Sequence, residues 1–332
     1  GVANASMLFG RGTLELEGIT LKNAKTGNGT AIQLRTADAK LIVNDCKFVS
    51  NESTGNGGAI SLTAENSSCP SAEISNTVFT GNSALANGTI YMEGGTVSLS
   101  NVKFEGNSVG KYGGAISITG SYASNCTVTD CKFTDNMASI NSTSSLGGAI
   151  YVSNSNKSTV LTLQNGEGET ECLFKNNQAY QGGAICVVSG ITVNITGYDF
   201  TGNLANSNGG AIRADSSSIW MFKDCNFTDN HASYQHEGMA RANGNGGAIY
   251  ITGSADVTVT TSEAGKYSFT GNTANRGTNT YTYGAIATNS SIALKYSTRY
   301  TYENNTHGTY GTLGKGPGYL EMAEGYVKGI AL

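Results

Sequence analysis

Proline is nearly missing from this chain, at 2 residues in 332, while glycine occurs 45 times. That excludes a collagen triple helix and proline-rich disorder, both of which need proline. Charge is scarce too: Asp, Glu, Lys and Arg make up 13% of the residues, well under the roughly 25% of an average domain. Asn, Ser and Thr take their place, giving a surface that suits an extracellular protein better than a cytosolic enzyme. The net charge is −4 and there is no basic stripe, so the electrostatic footprint of nucleic-acid binding is missing. The longest apolar runs, such as Ala184 to Val188, fall far short of the ~20 residues of a membrane span. No signal peptide is visible and Gly1 stands where an initiator Met would, so a mature secreted protein or an excised segment is expected. C-x-x-C pairs, zinc patterns and the calcium-binding G-G-x-G-x-D nonapeptide are also absent.

What fills the chain is repetition. In DFTGNLANSNGGAI, Asp199 to Ile212, an F-x-x-N motif (Phe200, Asn203) is followed by G-G-A-I (Gly209, Gly210, Ala211, Ile212). The same pair occurs as Phe104 and Asn107 with Gly113, Gly114, Ala115 and Ile116. Phe stands also at Phe48, Phe79, Phe133, Phe174, Phe227 and Phe269, each with Asn three residues on. Tyr302 with Asn305 forms a further copy, and Leu21 holds the Phe place in a degenerate first one. The second motif closes at Ile60, Ile90, Ile150, Ile185, Ile249 and Ile286 as well.

The interval between Phe positions ranges from 25 residues (Phe79 to Phe104) to 42 (Phe227 to Phe269), whereas a helical repeat keeps a nearly fixed length. Locally the residues alternate. Ile116 and Ile118 share one face, while Cys126, Val128, Asp130 and Phe133 frame a second short strand. An ordinary β-sandwich would explain the alternation but not a paired motif copied along the chain. The expectation is an all-β fold, a parallel β-helix (solenoid) of about nine to ten coils. Stacked coils turn each motif residue into a ladder: Phe fills the lumen, β-branched Ile suits the strand, and the Gly pair turns sharply. The Asn is expected in a tight bend, in a left-handed conformation, bonding to its neighbours' amides. Residues 1–13 read as a lead or cap, 14–305 as the solenoid, and 306–332 as a last coil, cap or donated strand.

Cys46, Cys131, Cys172 and Cys225 lie two residues before a motif Phe, the place held elsewhere by Thr77, Val102 and Tyr198. That parity points them inward as small hydrophobes. Cys131 and Cys172 follow each other in consecutive coils, so a disulfide and plain thiol packing are both open. Asp130, Asp135, Asp224 and Asp229 recur around Phe, but Asp135 and Asp229 share a slot with Gly81, Gly106, Gly202 and Gly271, so they read as bend residues. Paired carboxylates for glycoside hydrolysis are not evident, and His231, His236 and His307 lack partners at a meaningful spacing. Catalytic, cofactor-binding and metal-binding residues are therefore not expected, and neither is a cofactor. Asn-x-Ser/Thr sites are frequent (Asn4, Asn28, Asn51, Asn66), leaving glycosylation open.

F-x-x-N alternating with G-G-A-I resembles the repeat of polymorphic outer-membrane proteins, over about Leu14 to Asn305. The chain looks like the passenger region of chlamydial polymorphic membrane proteins and is similar to adhesin-like surface proteins of other microbes. The resemblance implies a right-handed parallel β-helix at the cell surface, autotransporter export and a role in adhesion. It associates both motifs with adhesion, although stacking places Phe and Ile indoors. No long series of alternating strands precedes Leu332, so the resemblance is not carried over to membrane anchoring by this chain.

Contact with a ligand falls more naturally to the longer insertions between Asn and the Gly motif: Asn136 to Gly147, Asn230 to Gly246 and Asn272 to Gly284. The last two display Tyr234, His236, Arg241, Arg276, Tyr281 and Tyr283, and function tends to reside in loops on a rigid scaffold. The expected partner is a surface protein or glycan of a host or neighbouring cell. The alternative is an extracellular fibre whose subunits stack end to end through open strand edges.

Overall fold

The computed structural model describes residues 7–9, 11–36, 38–64, 69–139, 142–166, 168, 171–232, 244–262 and 266–274, and beyond them 285–288, 293–296, 301–303, 306–307 and 326–328. The chain is a parallel β-solenoid in which each circuit lays down four short strands. One circuit consists of Ile116–Gly120, Ser124–Thr129, Lys132–Thr134 and Met137–Ala138. Every fourth strand pairs with the last, so four parallel sheets of 10, 11, 10 and 10 strands wrap the core. The exception is Tyr326–Lys328, which lies antiparallel on Ala293–Tyr296 at the edge of the second sheet. No described residue is in a helix.

Register follows the motifs. Ile90, Ile116 and Ile150 are Cα partners in the first sheet, and Phe79, Phe104 and Phe133 in the third. Successive Phe rings are stacked, with centroids 4.6 Å apart for Phe48–Phe79 and 5.1 Å for Phe104–Phe133, close to the ~4.8 Å between parallel strands. All eight Phe are fully buried. Their column meets the alternating inward residues of the second sheet, such as Val97 and Leu99, then Cys126 and Val128. Each fully buried large apolar side chain contributes roughly 1.5–3 kcal/mol, and the lumen repeats that burial coil after coil.

The motif Asn is buried as well, but it does not supply the left-handed conformation expected of it. The residue before it does: Ser50, Gly81, Gly106, Asp135, Asn176, Gly202, Asp229 and Gly271 all have positive φ. Freed of that duty, the Asn builds a continuous amide ladder. Asn107 Nδ2 donates to the Phe79 carbonyl at 2.9 Å and to Asn136 Oδ1 at 2.9 Å. Its Oδ1 accepts from the Asn82 N–H and the Asn82 Nδ2, both at 3.0 Å. Both donors and both lone pairs are used, so a buried amide carries no unmet demand.

A second left-handed turn lies three residues before Phe, at Asp45, Asn76, Asn101, Asp130 and Asp224. It separates the second sheet from the third, so the stretch Cys126 to Phe133 forms two strands, Ser124–Thr129 and Lys132–Thr134, instead of the single strand expected. The two glycines of G-G-A-I do different work. Gly113 and Gly209 have φ of 64° and 70°. A Cβ on Gly210 would fall 2.0 Å from the Gly247 carbonyl oxygen and 2.6 Å from the His231 nitrogen, so that position is glycine for closeness of approach.

Candidate functional surfaces

The motif residues cannot touch a ligand. Phe104, Asn107, Ala115, Ile116, Phe200, Asn203, Ala211 and Ile212 are all buried, and Gly114 and Gly210 face backbone. Any adhesive role the motifs have therefore acts through the scaffold they hold. The buried Asn51 also shields its Asn-x-Ser site in the folded chain.

Tyr234, His236, Arg241, Arg276, Tyr281 and Tyr283 lie outside the described residues. Their anchors are described. His231–Ala232 and Thr273–Ala274 pair side by side in the fourth sheet, and Ile249–Ile251 pairs with Ile286–Thr288 in the first. The strands that anchor both insertions are thus neighbours on adjacent coils.

A second family of insertions escaped the sequence reading. The connections from Val160–Gln164 to Leu173–Lys175 and from Asp256–Thr260 to Ser268–Thr270, between the second and third sheets, are longer than in the other coils. Each is clasped by the Asp at the left-handed turn of the preceding coil. Asp130 accepts from the Gly166 N–H at 2.7 Å and the Gly168 N–H at 3.0 Å. Asp224 accepts from the Ser262 N–H at 2.6 Å and from its hydroxyl at 2.9 Å. Burial acts to raise the Asp224 carboxyl, but the Ser262 hydrogen bonds outweigh it and hold the group below its ordinary value. The offset of these Asp residues from Phe is no signal by itself, since Asp45 shares it and no insertion follows in the next coil. Asp135 and Asp229 sit at left-handed turns, the bend role that the shared slot with glycine indicates.

The seven cysteines are all free, and Cys46, Cys131, Cys172 and Cys225 are buried in the core slot. Burial pushes the thiols of Cys126, Cys131, Cys186 and Cys225 up to about 12 and that of Cys172 up to about 11. Thiols so shielded are poor nucleophiles. His231 bonds to Thr273 of the next coil through its ring. No group of three or more metal-ligating side chains occurs among the described residues.

Two outer faces carry chemistry of their own. On the first sheet Tyr91 stands between Ser61 and Ser117, Tyr151 between Ser117 and Cys186, and Tyr250 beside Arg213, and all three tyrosines are buried. Tyr112 stacks on Tyr151 at 4.5 Å, and in the coil before Tyr250 Arg213 pairs with Asp215 at 2.5 Å. On the fourth sheet, Glu52, Ser83, Ser108 and Met137 form an outward column across four coils. Because the serines are small, the column is the side of a trough of about 500 Å³ that also takes in Leu85, Gly110 and Ser139.

This geometry defines a repeat-built parallel β-solenoid with a sealed core and a charge-poor, hydroxyl-rich exterior. Four stretches, residues 101–119, 171–188, 198–215 and 224–252, match the Chlamydia polymorphic membrane protein (Chlamydia_PMP) repeat. Over 232 residues the chain is 31% identical to the probable autotransporter YfaL of Escherichia coli (strain K12), an alignment covering 62% of this chain and 17% of that protein. No solved structure matches. Over those stretches the chain is similar to the polymorphic membrane protein repeat, and it spans about a sixth of the length of the autotransporter it resembles.

Proposed function

We propose that the chain is a non-enzymatic, adhesin-like scaffold displayed outside the cell, at the outer membrane or released from it. The observation that carries this reading is the division between a core locked by repeated ladders and insertions whose anchoring strands lie side by side on adjacent coils. Such a rod tolerates sequence change in its loops without loss of register, which is what a variable binding surface requires. The polymorphic membrane protein repeat and the similarity to an autotransporter support a place at the cell surface. Engagement of the Asp130 and Asp224 carboxylates as clasps supports the non-enzymatic part.

The contact residues of this proposal are Tyr234, His236 and Arg241 of one insertion and Arg276, Tyr281 and Tyr283 of the next, with a protein or glycan of a host or neighbouring cell as partner. Tyr and Arg supply large contact area and directed hydrogen bonds. The double variant Tyr234→Ala, Arg241→Ala is expected to fold normally and lose most binding to cultured cells in a flow assay. Retention of full binding would overturn the assignment.

One observation favours a second reading, end-to-end self-association into a fibre. Leu14, Leu16 and Leu21 face the core of the first described circuit yet are only partly buried. Apolar side chains and strand edges there suit a further coil or a second copy. Electron microscopy decides: long filaments favour the fibre, single short rods the adhesin.

A further inference from the structure

The trough on the fourth sheet has a definite chemical character. Ser83 and Ser108 are Cα partners in neighbouring coils, so their hydroxyls repeat at about the ~4.8 Å spacing of stacked strands. With Ser139 they line the trough, and none of the three hydroxyls has a hydrogen-bond partner among the described residues. Leu85 is 68% exposed at one side and Met137 stands at one end, giving apolar contact beside the hydroxyls. The volume of about 500 Å³ is in the range of small-ligand sites.

Charge and backbone geometry narrow the occupant. The one charged lining residue is Glu52, already paired with Lys25 at 2.6 Å. No lining cation is available for a phosphate, sialic acid or uronic acid, since Lys25 at that end is engaged by Glu52. A peptide fits no better. The strand N–H groups that a peptide backbone would need are taken by neighbouring coils, as Ser83 N–H to Asn51 O, Ser108 N–H to Asn82 O and Gly110 N–H to Ala84 O. Peptide addition requires a sheet edge, and this is a face.

We infer that the trough binds a neutral oligosaccharide laid along the solenoid axis. Sugar hydroxyls bond to Ser83, Ser108 and Ser139, and the C–H faces of the rings pack on Leu85 and Met137. A polymer of pyranose units suits this site because each unit advances by about one coil. The inference rests on the surface-binding reading above and narrows it to one ligand class, on coils well removed from the insertions around Tyr234 and Tyr281.

The test uses the full chain on an array of linear neutral gluco-, manno- and N-acetylglucosamine oligosaccharides beside sialylated and uronic-acid counterparts, followed by titration calorimetry. Ser108→Tyr fills the trough and Leu85→Asp replaces its apolar wall. Both positions face outward, and circular dichroism melts confirm folding. Binding of at least one neutral series is expected, with a loss of about tenfold or more in each variant, equivalent to 1.4 kcal/mol. Neutral binding unchanged in both variants, acidic glycans alone retained, or no glycan retained would each overturn the inference. The Tyr234→Ala, Arg241→Ala variant separates the two readings. Cell binding lost there but kept in Ser108→Tyr, with an empty array, sinks the trough and leaves the insertions standing. Glycan binding without cell binding does the reverse.

Discussion

Asn107 shows how much one side chain can carry in a stacked fold. It serves two coils at once, donating to Phe79 and Asn136 and accepting twice from Asn82. Asn107→Ala leaves the Asn82 N–H without its acceptor in a buried place, which costs on the order of 3 kcal/mol. Asn107→Asp is expected to be worse at neutral pH, since it removes both donors and buries a charge. Urea denaturation of the two variants checks the order. One residue earlier, Gly106 has a φ of 62° and a Cβ there would meet nothing within 4 Å. Gly106→Asn, the type that fills this slot as Asn176, is expected to melt near the parent. Gly106→Val should lose about 1–2 kcal/mol from backbone strain alone. Equal melting temperatures would disprove the assignment of strain to that turn.

At the scale of the strand and turn, the buried thiols make stability depend on alkaline pH. Burial raises Cys126, Cys131, Cys186 and Cys225 from the ordinary 9.0 to about 12. The folded chain therefore holds these protons more tightly than the unfolded one. Their contribution is complete below pH 9 and declines as pH rises from 9 toward 12, because the unfolded thiols ionise first. Denaturation midpoints should be flat from pH 7 to 8.5 and fall above 9, and Cys→Ser or Cys→Val replacement at all four should flatten that limb. A thiol reagent at pH 8 should label Cys69, which is only partly buried, well before the others. Rapid native-state labelling of Cys126 would contradict the packing.

The whole molecule behaves as a column of similar units, each touching only its neighbours, so stability should scale with coil number. Deleting residues 80–104 removes one full circuit and joins Phe79 to Glu105, the residue that pairs with Thr80 in the intact fold. That variant is expected to fold, with a smaller denaturant m-value in proportion to the lost surface. Deleting six residues fewer breaks the register and should give an unfolded or aggregated product. Similar stability for both deletions would mean that vertical register does not hold this protein together.

The sequence alone determined the parallel solenoid. Phe and Asn at a constant offset, with spacers of varying length, leave stacked ladders as the arrangement that puts every Phe in one core. It also marked the inward cysteine slot and the turn role of Asp135 and Asp229, since residues that share a slot share an environment. Four strands per circuit were beyond it, because a two-residue strand such as Met137–Ala138 is too short to show a period. So was the exchange of roles between Asn107 and Gly106, which depends on φ and on a partner 29 residues away. The clasps of Asp130 and Asp224 and the trough over Ser83 and Ser108 belong to the tertiary structure alone. Each arises between coils, where residues distant in the chain meet only because stacking fixes how the coils lie on one another.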